Sequence, residues 1–212
     1  MTVIAIVDYD IGNIRSISNS LVAEGVTVLI TSDKIKLLSA DGVILPGVGS
    51  FKHGMDKLRE LKLDIVIRDY VKSGKPLLGI CLGMQLLFTS SEEFGETEGL
   101  NIIHGLVKKL QLNNDEEFKL PHVNWNSIHT ASLSWEESIL KNITAGSEVY
   151  FVHSYAVLPS VDKNILSTTM YSNNQFISAV QRGNVYGCQF HPEKSGTVGL
   201  TIMNNFIEIC RG

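Results

Sequence analysis

The apolar positions change period repeatedly along the first part of the chain. Val3–Val7 is an unbroken apolar run, the pattern of a strand buried on both faces. Ile14, Ile17, Leu21 and Val22 then recur at helical spacing, and Gly25 stops them. Residues 26–30 read as a second strand, Ser32 or Asp33 as the cap of a short helix through Leu38, and 43–45 as a third strand broken by Pro46-Gly47-Val48-Gly49. Amphipathic helical stretches at 50–60 and 62–73 lead to a fourth strand, Leu77–Ile80, and a helix from Cys81 to about Ser91. Strands alternating with helices predict βαβ units around a parallel sheet.

The second half has a different rhythm. Segments 103–111, 127–130, 148–157, 165–171, 175–181 and 184–190 read as strands in quick succession, mostly antiparallel hairpins. A closing helix at 196–210 carries Val198, Ile202, Phe206 and Ile209 on one face, and the polar, acidic stretch 113–119 reads as a surface loop. No repeat or linker interrupts the chain. The expected fold is α/β, a doubly wound, mostly parallel central sheet with flanking helices and an antiparallel extension in the second half. One domain spans 1–212.

Composition narrows the function. With 44% apolar and 19% charged residues the chain can build a core. A net charge of −4 and no block of Lys and Arg speak against nucleic-acid binding. The longest apolar stretch, 77–88, holds two glycines and a glutamine and is shorter than the roughly 20 residues a bilayer requires. The first ten residues lack the basic region and cleavage site of a signal peptide. Three cysteines without a CxxC pair predict a reducing compartment, the cytoplasm. The sequon Asn142-Ile143-Thr144 is therefore read as chance.

Candidate chemistry centres on Gly79-Ile80-Cys81-Leu82-Gly83, a G-x-C-x-G between an apolar strand and an apolar helix. This is the cysteine form of the nucleophile elbow. A sharp turn strains the nucleophile's backbone, and glycines on both sides relieve crowding. The sulfur would face free helix N–H groups that stabilise negative charge, and the Leu82 N–H could bind an oxyanion. Taken alone, Cys81 also fits a small buried hydrophobe.

His191-Pro192-Glu193 follows a late strand. If Pro192 keeps the chain extended, the side chains at i and i+2 share a side, and Glu193 can orient His191 as a base for a thiol. Taken alone, the tripeptide also fits a surface turn. The Gly47-Val48-Gly49 loop offers backbone N–H groups to an oxyanion from the other side. It is not a dinucleotide loop, because Lys52 stands where G-x-G-x-x-G needs glycine. No phosphate loop and no zinc signature occurs among these motifs, so no cofactor and no metal is expected.

Gly79 to Gln85, followed about 110 residues later by Gln189-Phe190-His191-Pro192-Glu193-Lys194-Ser195, resembles the class I (triad-type) glutamine amidotransferases. Within them the chain resembles the branch that serves as glutaminase subunit of imidazole glycerol phosphate synthase. The further matches are Asp8-Tyr9-Asp10-Ile11-Gly12-Asn13, Pro46 to Phe51, Pro121-His122-Val123-Asn124-Trp125-Asn126 and Tyr150-Phe151-Val152-His153-Ser154-Tyr155. The resemblance runs nearly end to end.

It implies that Cys81 attacks the side-chain amide of glutamine, that His191 carries the proton, and that Glu193 orients His191. Leu82, Val48 and Gly49 would supply the oxyanion N–H groups, and Gly47, Gln85, Ser154 and Tyr155 would hold glutamine. The ammonia would pass to a (β/α)₈-barrel cyclase subunit that makes imidazole glycerol phosphate, for histidine synthesis, and an aminoimidazole carboxamide ribotide. Asn13, Pro121, His122, Trp125, Asn126 and Lys194 would face that partner. Trp125 in a polar segment suits an interface anchor.

One departure stands out. Asn124 occupies a position where the family usually has glycine, and Asn tolerates a left-handed backbone better than other residues. It keeps open a paralogous role, supplying ammonia to a surface-polysaccharide sugar amidotransferase. The remaining alternatives are a stand-alone cysteine hydrolase and a silent interaction subunit. An intact Cys81, His191 and Glu193 argue against the silent one.

Overall fold

The computed structural model describes residues 2–112 and 119–212; the loop expected at 113–119 falls, apart from Lys119, outside them. The first part follows the alternation of the sequence. Strands β1 (Val3–Val7), β2 (Thr27–Thr31), β3 (Gly42–Leu45) and β4 (Leu77–Ile80) are separated by helices α1 (Ile14–Val22), α2 (Lys34–Ser39), α3 (Phe51–Glu60) and α4 (Leu63–Lys72). The punctuation is physical. Gly25 and Gly74 take left-handed φ values of 74° and 79° just past α1 and α4. Asp33 caps α2, its Oδ1 accepting from Lys36 N at 2.9 Å.

After β4 come α5 (Leu82–Leu86), β5 (Ser90–Ser91), β6 (Thr97–Glu98), β7 (Gly105–Lys109), β8 (His122–Ser127) and β9 (His129–Thr130). The chain ends with β10 (Glu148–His153), β11 (Tyr155–Pro159), β12 (Ile165–Tyr171), β13 (Asn174–Arg182), β14 (Val185–Cys188) and α6 (Gly196–Arg211). The central sheet has eight strands in the order β2-β1-β3-β4-β14-β13-β12-β9. The run from β2 to β14 is parallel, and β13, β12 and β9 extend it antiparallel. Beside it stand a β10-β8 pair and a small sheet, β11-β7-β5-β6.

Alternate residues of the parallel strands feed two cores. Ala5 and Val7 pack with Leu37, Met55, Leu58 and Val66 on the face of α2, α3 and α4. Ile4 and Ile6 pack with Ile17, Leu21, Ile202 and Phe206 on the face of α1 and α6. Period-two burial on both faces is what a parallel sheet between two helix layers demands.

Several expectations are corrected. The helix after Cys81 stops at Leu86 instead of running to Ser91. The carbonyls of Leu86, Leu87 and Phe88 accept from Leu100 N at 2.8 Å, Ile102 N at 2.8 Å and Asn101 N at 3.0 Å. The returning segment thus takes the acceptors that a longer helix would use. The strand expected at 148–157 splits at Ser154 into β10 and β11, which belong to different sheets. The strand expected at 127–130 begins earlier, as β8, and β6 had no sequence signal. Asn124 lies inside β8 opposite Phe151 and is not left-handed, so no special turn exists there.

The loop after β3 and the turn after β4 interlock through glycines. A Cβ on Gly83 would sit 1.9 Å from the Leu45 carbonyl oxygen, and one on Gly79 2.8 Å from Gly83 backbone atoms. Neither neighbour is a flexible side chain. Gly83→Ala is therefore expected to destabilise the chain by more than about 2 kcal/mol, seen as a fall in the thermal midpoint. Equal midpoints would show that the two backbones can separate without cost.

Candidate active site

β4 ends at Ile80 and α5 begins at Leu82, so Cys81 alone makes the turn, at φ 53° and ψ −111°. Side chains rarely adopt this region, and holding one there costs on the order of 1–3 kcal/mol. The surroundings impose it. Cys81 N donates to Cys188 O at 2.8 Å, which continues the parallel β4-β14 ladder into the turn. A Cβ on Gly47 would lie 2.9 Å from Leu82 Cβ, so the loop after β3 presses on the turn from outside. The thiol is buried and donates to Val152 O at 3.8 Å, while Gln189 Nε2 donates to the sulfur at 3.7 Å.

His191 stands just past β14. Its N–H donates to Tyr150 O at 2.9 Å, and its Nδ1 lies 2.9 Å from Glu193 Oε1. Glu193 is wholly shielded from solvent, and Asn13 Nδ2 donates to the same oxygen at 3.4 Å. The chain is not extended here as expected. Pro192–Lys194 forms a 3-10 turn with the proline in its first turn, where a fixed φ and a missing N–H suit it. That turn, rather than an extended i, i+2 geometry, brings the carboxylate to the ring.

Burial disfavours the charged form of His191, but the Cys81 sulfur and then the Glu193 carboxylate outweigh it and raise the pKa to about 10. Nε2 closes no hydrogen bond among the described residues. Cys81 and His191 line one cavity.

That cavity holds ≈ 310 Å³. Val48, Gly49 and Leu82 form one wall, and Gln85, Ser154 and Tyr155 another. Gly47 is not among the residues that line it; a Cβ there would lie 2.9 Å from each of Leu82 Cβ, Gly83 N and the Tyr9 hydroxyl. Tyr9 in turn donates to Pro46 O at 2.5 Å and holds the start of the loop. Glu93 also lines the cavity, with Oε2 accepting from Phe51 N at 2.7 Å. Sequence reasoning assigned no role to Glu93, which sits in no motif, or to Gln189, which lay inside one. Asn13, expected on the partner side, touches Glu193.

The remaining residues expected to face a partner divide. Pro121 and Lys194 are exposed, Asn126 is half-buried, and Trp125 is 45% exposed. Trp125 and Tyr150 are cross-strand partners with rings 6.1 Å apart, and Lys194 Nζ lies 5.7 Å from the Tyr150 ring. His122 is corrected, because its side chain is completely buried, stacked on Tyr171 at 4.0 Å and Phe151 at 5.1 Å. Its Nδ1 lies 3.1 Å from His153 Nε2, and His153 Nδ1 lies 2.8 Å from Tyr155 O. The carbonyl only accepts, so His153 is protonated at Nδ1 and His122 donates through its own Nδ1. Burial keeps both neutral, lowering His122 to about 4 and His153 to about 3. Among the described residues no group of three His, Cys, Asp or Glu is placed to hold a metal, and no helix is long and apolar enough to cross a membrane.

A strained cysteine at the carboxyl edge of a doubly wound sheet, sharing its cavity with a histidine that a buried carboxylate holds, defines a class of enzyme. The family model of class-I glutamine amidotransferase matches residues 5–210. The imidazole glycerol phosphate synthase subunit HisH 1 of Legionella pneumophila strain Paris is 42% identical over 99% of this chain and 100% of its own length. HisH 2 of Methanococcus maripaludis is 47% identical over 97% of this chain and 98% of its own. The chain therefore belongs to the class-I glutamine amidotransferase family, in the branch whose members are named imidazole glycerol phosphate synthase subunit HisH. Solved structures bear out the fold. PurLQS from Thermotoga maritima superposes with TM-score 0.71 at 18% identity, covering 98% of this chain and 98% of that one. The CTPS glutaminase domain of Trypanosoma brucei, with bound acivicin, gives 0.65 at 19% identity, covering 100% of this chain and 94% of that one.

The His191 pKa carries a sign. Folded it is about 10, and an unfolded histidine titrates near 6.5. The stabilisation is complete below pH 6.5 and is lost as pH rises through about 10. Titration of the His191 ring by nuclear magnetic resonance should show the imidazolium persisting well above neutrality. Both Cys81→Ala and Glu193→Gln should lower the midpoint. A midpoint near 6.5 in the unsubstituted chain would contradict this assignment. The buried His122–His153 pair has the opposite sign: stability to urea should fall as pH drops from 6.5 toward 4, and His122→Phe should flatten that fall.

Proposed function

We propose that this chain hydrolyses glutamine to glutamate and ammonia with Cys81 as nucleophile, His191 as proton carrier and Glu193 as the group that orients His191. One observation carries the reading. A cysteine strained to φ 53° shares a cavity with a histidine held 2.9 Å from a fully buried carboxylate. His191 enters the reaction carrying a proton, which the Cys81 sulfur and the Glu193 carboxylate hold to about pH 10.

The sulfur attacks the side-chain carbonyl carbon of glutamine. The oxygen takes the charge and is met by the N–H of Leu82, first in α5, and by the backbone of Val48 and Gly49. His191 gives its proton to the amide nitrogen, the C–N bond breaks, ammonia leaves, and a thioester remains on Cys81. Water then attacks the thioester and gives a proton to His191 Nε2. The C–S bond breaks, glutamate leaves, and Cys81 and the protonated His191 are ready for the next cycle. Gln85, Ser154 and Tyr155 hold the substrate, with Gly47 supporting the loop from behind. Glu93, a carboxylate that lines the cavity, suits the substrate's α-ammonium.

The whole chain, 1–212, acts as one cytoplasmic glutaminase domain without a cofactor, and its ammonia goes to a (β/α)₈-barrel cyclase subunit. The relatives are named as subunits of imidazole glycerol phosphate synthase, which supports a partner subunit and imidazole glycerol phosphate as a product; aminoimidazole carboxamide ribotide is the second product of this reading. The row of exposed Trp125, half-buried Tyr150 and exposed Lys194 suits the docking face. Tyr150 O accepts from His191 N at 2.9 Å, and Tyr150 N donates to Ser195 Oγ at 3.0 Å. Pressure on that row therefore reaches the backbone of the proton carrier.

Glutamate release should be slow in the chain alone and rise when the histidine-pathway cyclase and its nucleotide ligand are added. No stimulation by the cyclase would move the acceptor elsewhere, to a sugar amidotransferase among others. Cys81→Ala should lower the rate by at least about 10³-fold; persistent hydrolysis would remove Cys81 as nucleophile. Glu93→Gln should raise KM for glutamine about tenfold with kcat little changed, and an unchanged KM would free Glu93 of that role.

A further inference from the structure

We infer that Gln189 acts on the nucleophile, donating a hydrogen bond from its side chain to the Cys81 sulfur with an orientation dictated by the glutamine-holding wall. The inference rests on the glutaminase reading of the same site and adds a residue to it.

A backbone carbonyl only accepts, so Tyr155 O, 3.0 Å from the Gln85 side chain, requires Nε2 there. The same nitrogen lies 2.9 Å from Gln189, which must therefore present Oε1. Its oxygen engaged, Gln189 turns Nε2 toward Cys81 Sγ, 3.7 Å away. Reversing either amide would set two acceptors or two donors face to face. The direction of the last N–H is thus fixed two side chains earlier, by a main-chain oxygen.

Gln189 is fully buried, and its own N–H donates to Ser178 O at 2.9 Å, so neither solvent nor backbone slack competes for the amide. The ladder bond from Cys81 N to Cys188 O places the next residue, Gln189, beside the cysteine. The sulfur's other polar neighbour, Val152 O at 3.8 Å, accepts from a thiol and repels a thiolate. Gln189 does the reverse. Of the two contacts, its N–H is the one that favours the charged, attacking form, and hydrogen bonds to charged groups are the strong ones. Because Gln85 and Tyr155 line the substrate cavity, a glutamine seated against them bears on the sulfur through two amides.

The test is the rate of Cys81 alkylation by iodoacetamide as a function of pH, with the modified residue located by peptide mass mapping. Gln189→Glu preserves the shape and the acceptor toward Gln85 but offers the sulfur an acceptor. Alkylation at neutral pH should slow by about tenfold or more, with the profile displaced to higher pH. Gln189→Leu, which only removes the donor, should fall between that variant and the unsubstituted chain. Folded variants whose profiles superpose on the unsubstituted one would overturn the inference. If neither variant folds, the unsubstituted chain decides. The Gln189 side-chain amide resonances should move with pH in step with the alkylation rate and stay still in Cys81→Ala; resonances indifferent to pH would overturn it. Alkylation needs no glutamine, so hydrolysis persisting in Cys81→Ala would defeat the glutaminase reading while leaving the alkylation result to judge Gln189.

Discussion

The parallel pairing of β4 with β14 is the constraint from which the site follows. Leu77 to Ile80 run in register with Val185 to Cys188, and the bond from Cys81 N to Cys188 O carries the ladder one step beyond both strands. Two segments far apart in sequence thereby end at the same edge with nothing between them. The carboxyl edge of a parallel sheet is where helix starts and loops converge and where open α/β folds bind their ligands. The strained turn, the His-carboxylate pair and the amide chain all hang from this one junction. A slip of one residue in the register would turn Cys81 and Gln189 to opposite faces of the sheet.

The antiparallel half serves that junction from the side. β10 carries Val152, whose carbonyl meets the thiol, and Tyr150, whose carbonyl receives the His191 N–H. The same strand pairs with β8, where Trp125 is exposed. The surface row and the reacting groups are thus opposite ends of a short stack of main-chain bonds. Such bonds are stiff, and a displacement of the strand is passed on rather than absorbed in side-chain rotation.

Much of this was legible in the chain itself. Leu77–Ile80 and Ile165–Tyr171 have the bounds that their pattern predicts, the first as a short apolar stretch after Pro76 and the second as a stretch rich in strand-favouring Ile, Thr and Tyr between Asn164 and Ser172. The motif around Cys81 was legible for the same reason that it works, since few residues tolerate such a turn. β8 was not, because its polarity is inverted: Val123 and Trp125 face outward while His122 is buried among aromatic rings. The length of α5 was hidden too, since Leu86, Leu87 and Phe88 look helical until a distant segment claims their carbonyls. Gln189 stood inside a motif, but its role depends on Tyr155 and Gln85, whose proximity no local pattern encodes.

The backbone at Cys81 has one more consequence. At φ 53° a glycine would sit without strain, so the proposed nucleophile is a residue that folding disfavours. The backbone at this position is therefore more strained with cysteine than it would be with glycine there. A chain drifting without selection for activity would tend to lose this cysteine and gain melting temperature. Its presence at such a position is thus a sign of use, readable from thermodynamics alone.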